Sequence, residues 1–218
     1  MTKLTELEAN FERIATTDEF HLFKYPEHGI TKEIPVIFEA SKMYGDERKV
    51  CAEYFRARAM TYHPRPEDFA RFLNAISATV CHQTRMVRFG PTFRLDMDRQ
   101  GVGLGSALMS AVIRWLQSKN LADYQIESGS LGAADADTRE AQLRRNRFYM
   151  KFGFQVSSWD GDLKGDDVVE GYFGQDWVGD LSQNLSAGTE LVRWRDDWSK
   201  RETRLLDSYV SSLGVTRK

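Results

Sequence analysis

The sequence predicts one α+β domain, with a βαβαβ-like centre at about residues 85–175, a helical N-terminal part over 1–82 and a C-terminal helix over 189–213 as extensions. Three observations carry this. The hydrophobic period changes from helical spacing to strict alternation near residue 85. Three closely spaced glycines sit between a strand pattern and an amphipathic helix. A second helix and strand follow. A chain of 218 residues is one domain of generous size. It buries about 70% of its unfolded surface, so its core requires neither disulfide nor metal.

Taken in order, Leu4, Leu7, Phe11 and Ile14 predict a short amphipathic helix within residues 2–16. The segment HLFKYPEHGITKEIPVIFEAS is broken by Pro26, Gly29 and Pro35 and reads as loop with one short strand. Val50, Cys51, Tyr54, Phe55 and Arg58 predict a helix between 46 and 62. Pro66 with Glu67 and Asp68 starts another, because proline fits the first turn and acids favour the positive end of the helix dipole. Phe69, Phe72, Leu73, Ile76 and Val80 would form its buried face.

From 85 onward, TRMVRFG and TFRLDMD read as two strands joined at Gly90-Pro91, the second with Phe93, Leu95 and Met97 alternating against Arg94, Asp96 and Asp98. A helix from about 104 to 118 buries Leu104, Leu108, Met109, Val112, Trp115 and Leu116. The strand DYQIES, a basic helix near 137–151, the turn and strand FGFQVSSW, and a strand at VVEGYF follow. Leu191, Trp194, Trp198, Leu205, Tyr209 and Leu213 form a helical stripe that is either core packing or the surface of a homodimer.

Charge and composition exclude several classes. Hydrophobic residues make up 41% and charged ones 28% of the chain, the range of ordinary globular proteins. The net charge of -2 gives no general attraction to nucleic acid, so nucleic acid is not an expected partner. No run approaches the ~18 apolar residues of a membrane helix, and the acidic, polar start MTKLTELEANFE is no leader, so a cytoplasmic protein with no membrane partner is expected. Cys51 and Cys81 read as free, buried thiols. His21, His28, His63 and His82 show no metal-ligand spacing with them, and no metal is expected.

The sharpest signal is RQGVGLGSALM, residues 99–109. Gly101, Gly103 and Gly105 let the backbone turn tightly, and the following helix offers unpaired N–H groups and a positive dipole end, a cradle for phosphate oxygens. Three ligands compete for it. A dinucleotide fold wants a third glycine where Ser106 stands, with an acid such as Glu127 ending the next strand. An S-adenosylmethionine-dependent methyltransferase would use the same turn and acid. Against both, FRLDMD alternates where a doubly covered parallel strand would be continuously apolar.

The third reading explains more residues. Gln100 to Gly105, with Ser106, Leu108 and Met109 after it, resembles the Q/R-x-x-G-x-G/A acyl-CoA motif of the GCN5-related N-acetyltransferase family, and NRFYMKFGF at 146–154 resembles that family's second landmark, a helix ending in FYxxxGF. The resemblance covers about residues 93–156. It implies a mixed sheet, flanked by helices, in which two strands splay apart so that the pantetheine arm of acetyl-CoA inserts like an extra strand. It implies that the backbone of Gln100, Gly101, Val102, Gly103, Leu104 and Gly105, with Ser106, binds the pyrophosphate, and that the backbone near Met97 and Asp98 bonds the pantetheine and thioester. Asn146 lies close to the position, held here by Gln142, where many members carry an asparagine, and is counted with the cofactor residues.

Acetyl transfer requires an amine to lose its proton and a thiolate to be stabilised or protonated. An alkylamine has a pKa of about 10, so a base or water relay is needed. Tyr149 is the candidate acid, because the resemblance puts this tyrosine near the CoA sulfur. Glu127 and Asp96 are the candidate bases. Arg144, on a helix with Arg139, Arg145, Arg147 and Lys151, either meets the 3′-phosphate of CoA or belongs to a solvated basic face. The acids Asp160, Asp162, Asp166, Asp167, Glu170, Asp176 and Asp180 would attract a cationic amine acceptor or form a solvated loop. The expected function is therefore N-acyl transfer, with a methyltransferase or a catalytically inactive CoA-binding module as the alternatives.

Overall fold

The protein is described here by a computed structural model covering residues 3–14, 16–60, 73–90 and 97–212. Helix α1 (Lys3–Ile14) forms as its apolar spacing predicts, burying Leu4 and Phe11. The rest of the expected helical N-terminal part is corrected, for the described residues up to 82 contain this one α-helix and four strands. β1 (Thr16–Glu27) and β2 (Ile30–Tyr44) form a hairpin on His28 and Gly29, whose φ values of 51° and 76° are both left-handed, as a two-residue type I′ turn demands. Gly29 therefore marks a hairpin rather than a loop. Pro35 is tolerated because the β2 ladder to the next strand begins one residue later, at Val36.

β3 (Val50–Ala59) explains why the helical reading failed. One face carries Tyr54, stacked on Phe11 of α1 with ring centroids 5.7 Å apart, and the other carries Phe55, stacked at 5.2 Å on Trp115 of the helix α2 (Leu104–Ser118). A strand covered on both faces shows no alternation, so its apolar residues fall by coincidence at helix-like intervals. β4 (Ala75–Cys81) is buried along its whole length for the same reason, and Ile76 and Val80 lie on it rather than on a helix. The remainder of that expected helix, 66–72, lies outside the described residues.

The centre follows the sequence more closely. β5 (Met86–Gly90), α2, β6 (Gln125–Glu127), α3 (Arg139–Met150), β8 (Gln155–Ser158) and β9 (Gly171–Gly174) appear in the expected order, and a short strand that the sequence did not suggest, β7 (Gly129–Leu131), stands between β6 and α3. Residues 91–96, most of the second strand expected there, lie outside the described residues, and Met97 and Asp98 are not in a strand. The C-terminal element is divided, β10 (Glu190–Arg193) pairing with β1 at the sheet edge before α4 (Trp194–Ser212) begins. Trp194 and Trp198 are 46% and 59% exposed, so in this part of α4 the expected apolar stripe is not core; Asp197 faces inward instead, bonded to Lys24 and Arg201.

A seven-stranded sheet of order β10-β1-β2-β3-β4-β5-β6 is antiparallel except for its last pair, and a three-stranded sheet has the order β7-β9-β8. α1 packs on β3, β4 and β5 from one face and α2 on β3 and β4 from the other. Cys51 and Cys81 are free thiols. Among the described residues no helix is long and apolar enough to cross a membrane, and no group of His, Cys, Asp and Glu is placed to hold a metal ion.

His21 is 7% exposed and stacks on Phe38 at 3.9 Å. Burial lowers its pKa below the ordinary 6.5; Glu19 opposes this and Arg193 adds to it. As pH falls through 6.5 the unfolded chain therefore takes up a proton that the native chain refuses, and stability present above that pH is lost on the way down. The melting temperature is expected to fall between about pH 7 and 5.5 and His21→Gln to flatten that decline, as read by calorimetry.

Candidate functional site

β5 and β6 run parallel but pair only from Met86↔Gln125 to Arg88↔Glu127. One residue later, at Ser128, the chain crosses from the large sheet into the small one, because β7 pairs with β9 instead of continuing beside β5. A cavity of about 550 Å³ opens where the two strands part, with Phe89 and Gly90 on one wall and Gly129, Ser130 and Leu131 on the other. Of these five wall residues the sequence marks Gly90 alone, as a turn residue, since only pairing across the sheet identifies where a parallel pair ends.

The glycine loop lies at this cavity. Gly103, at φ 86°, precedes α2, and no side chain caps the helix. The first bond at this end of α2 runs from the Ala107 N–H to the Gly103 carbonyl at 3.0 Å, leaving the amides of Leu104, Gly105 and Ser106 without helical acceptors. All three residues line the cavity and no acid occupies the first turn, so this is a ready anion site. The loop is tightly enclosed. A Cβ on Gly103 would lie 2.8 Å from the Ser186 Cβ, and one on Gly105 would lie 3.3 Å from the Phe148 ring.

Six cations, Arg88, Arg99, Arg144, Arg145, Arg147 and Lys151, line the same space against one carboxylate, Asp135. Several are committed to the fold. Arg147 pairs with Asp166 at 2.7 Å, and Arg145 donates to the carbonyls of Gly132, Val168 and Val169. Arg99, Arg144 and Lys151 have no ion-pair partner among the described residues. Lys151 donates to the Ser106 hydroxyl and lies over the Phe152 and Phe148 rings at 5.0 and 5.9 Å, and burial lowers its pKa. Sequence reasoning placed Lys151 on a basic helix face and missed this contact.

Tyr149 lines the cavity with its ring stacked on Phe173 at 3.9 Å and 17°. Burial pushes the phenol well above its ordinary pKa, Asp135 adding to the effect and Arg145 opposing it. The hydroxyl therefore keeps its proton at neutral pH.

Of the expected site residues, Met97, Gln100, Gly101, Gly103, Leu104, Gly105, Ser106, Arg144 and Tyr149 come together at the cavity. Four others are not among its lining residues. Val102 packs against the hydrophobic core, and the Asp98 backbone N–H is taken by the Asn74 side chain at 2.8 Å. Asn146 is fully buried; its Nδ2 donates to the Gly165 and Val168 carbonyls and its Oδ1 accepts from Arg145. Glu127 bonds Arg88 at 3.2 Å, as its cross-strand neighbour. Asp96 lies outside the described residues.

Two charge patterns that look independent in the sequence meet in space. Arg139 and Arg147 of the basic helix pair with Asp167 and Asp166 of the acidic segment. Gln142, Arg145 and Asn146 donate to that segment's backbone. Part of the acidity expected to draw a cationic acceptor therefore serves to hold α3 to the loop before β9. No family model, curated protein or solved structure matches the chain.

Proposed function

We propose that the protein is an acyl-CoA-dependent N-acyltransferase, passing acetyl from acetyl-CoA to a primary amine by direct attack. The observation that carries this reading is the parting of the parallel pair β5–β6 beside an uncapped, glycine-led helix. An elongated thioester with a polyphosphate end fits that combination. The edge at Phe89 and Gly90, beyond the last β5–β6 pair, offers backbone groups to a pantetheine arm, while the Leu104–Ser106 amides and Lys151 face its phosphates. Arg99 and Arg144 remain for a further phosphate. Tyr149 supplies the proton for the departing sulfur.

The resemblance to the GCN5-related N-acetyltransferases points the same way. The dinucleotide and methyltransferase readings draw little support from a sheet with a single parallel pair. A ligand that binds only the native state raises the melting midpoint according to its affinity. Acetyl-CoA is expected to do so, and S-adenosylmethionine and NAD are not; the reverse result overturns the assignment of the loop. Binding without amine-dependent thiol release would indicate the inactive module. Lys151→Met is expected to weaken CoA about tenfold by calorimetry, the equivalent of one charged hydrogen bond.

A further inference from the structure

Part of the cavity wall is aromatic, built from three elements. Phe89 of β5, Tyr149 of α3 and Phe173 of β9 line the space, and the rings of all three meet the Phe154 ring edge-on, at 5.2, 6.0 and 5.4 Å. Phe154 is 3% exposed and is not among the lining residues, so the three rings stand between it and the cavity. The Phe173 ring is braced on two further sides. It stacks on Tyr149 at 3.9 Å, and it lies against its cross-strand partner Gly129, where a Cβ would fall 2.3 Å from the nearest ring atom. Only glycine at 129 leaves the ring this place at the wall.

We infer that Phe173 sets the length of the acyl group, its ring forming the stop for the chain beyond the thioester, so that acetyl fits and longer chains do not. The inference rests on the acyltransferase reading and adds to it the acyl class and the residue that selects it. A sulfur within reach of the Tyr149 hydroxyl carries its acyl carbon beside the ring stacked on that tyrosine. A chain lengthening toward this wall must displace a ring already packed against Gly129, Tyr149 and Phe154. One methylene against such a wall is worth roughly ten- to two-hundredfold in discrimination.

The test is calorimetric titration of the full chain with CoA, acetyl-CoA, butyryl-CoA and hexanoyl-CoA, which requires no acceptor. Wild-type protein is expected to bind acetyl-CoA at least about tenfold more tightly than hexanoyl-CoA. Phe173→Ala is expected to bring that ratio below about threefold through a gain for hexanoyl-CoA, with the affinity for CoA itself unchanged. If Phe173→Ala does not fold, the smaller change Phe173→Leu decides, with a gain of at least about threefold expected for butyryl-CoA. Equal wild-type affinities for acetyl-CoA and hexanoyl-CoA overturn the inference, as does a ratio that the substitution leaves unchanged. Parallel losses for CoA and all three thioesters would make Phe173 a packing residue and overturn its selecting role. Wild-type protein that binds none of the four overturns the acyl-CoA reading itself.

Discussion

Gly103→Ala is expected to lower acetyl-CoA affinity by at least about tenfold, or 1.4 kcal/mol, while leaving the protein folded. Two costs combine at this position. The residue holds φ at 86°, where an L side chain costs roughly 1–2 kcal/mol. The added Cβ would also meet the Ser186 Cβ at 2.8 Å, closer than carbon atoms can approach. Relief comes from rotating the residue or moving the loop, and either motion turns the Leu104–Ser106 amides away from their common target. Gly101 is an internal control, with φ at 81° but nothing within 4 Å of a Cβ. Gly101→Ala bears only the conformational cost and is expected to bind better than Gly103→Ala. Calorimetric titration with CoA measures both, and wild-type affinity in Gly103→Ala would show that the loop does not hold the phosphates.

Tyr149→Phe is expected to lower turnover tenfold or more with little change in CoA affinity. The substitution keeps the ring and its stack on Phe173 and removes only the hydroxyl, so packing and cofactor contacts persist. What is lost is a proton held by a phenol that burial keeps neutral. Steady-state kinetics on the amine found to be an acceptor separates kcat from KM. Unchanged turnover would make Tyr149 a packing residue.

The readable half of the fold is the half with one-sided elements. α2 has a buried face and a surface face, so its apolar period is clear and its expected bounds of 104–118 match the helix Leu104–Ser118. β3 and β4 lie in the middle of the sheet with cover on both sides, and the alternation that identifies a strand is absent there. The β1–β2 hairpin carried a turn signal at Gly29, but His28 is an unusual partner for it and the two prolines read more naturally as breakers.

The candidate site divides in the same way. The glycine loop and Tyr149 are local motifs and were legible. Contacts between distant parts of the chain were not: Lys151 meets Ser106 across 45 positions and Arg88 meets Glu8 across 80. The strand Met86–Gly90 borders the cavity through Phe89 and Gly90, backbone positions that no local pattern marks as a binding edge, and Met97 lines it too.

The central claim is that an acyl-CoA lies between β5 and β7 with its phosphates on α2. Amide hydrogen exchange with and without CoA tests it most directly, because ordered ligand contacts slow exchange at the groups they cover. Protection is expected at Phe89 and Gly90 and at Leu104, Gly105 and Ser106. Exchange unchanged at these amides under saturating CoA, or protection confined to other segments, would contradict it.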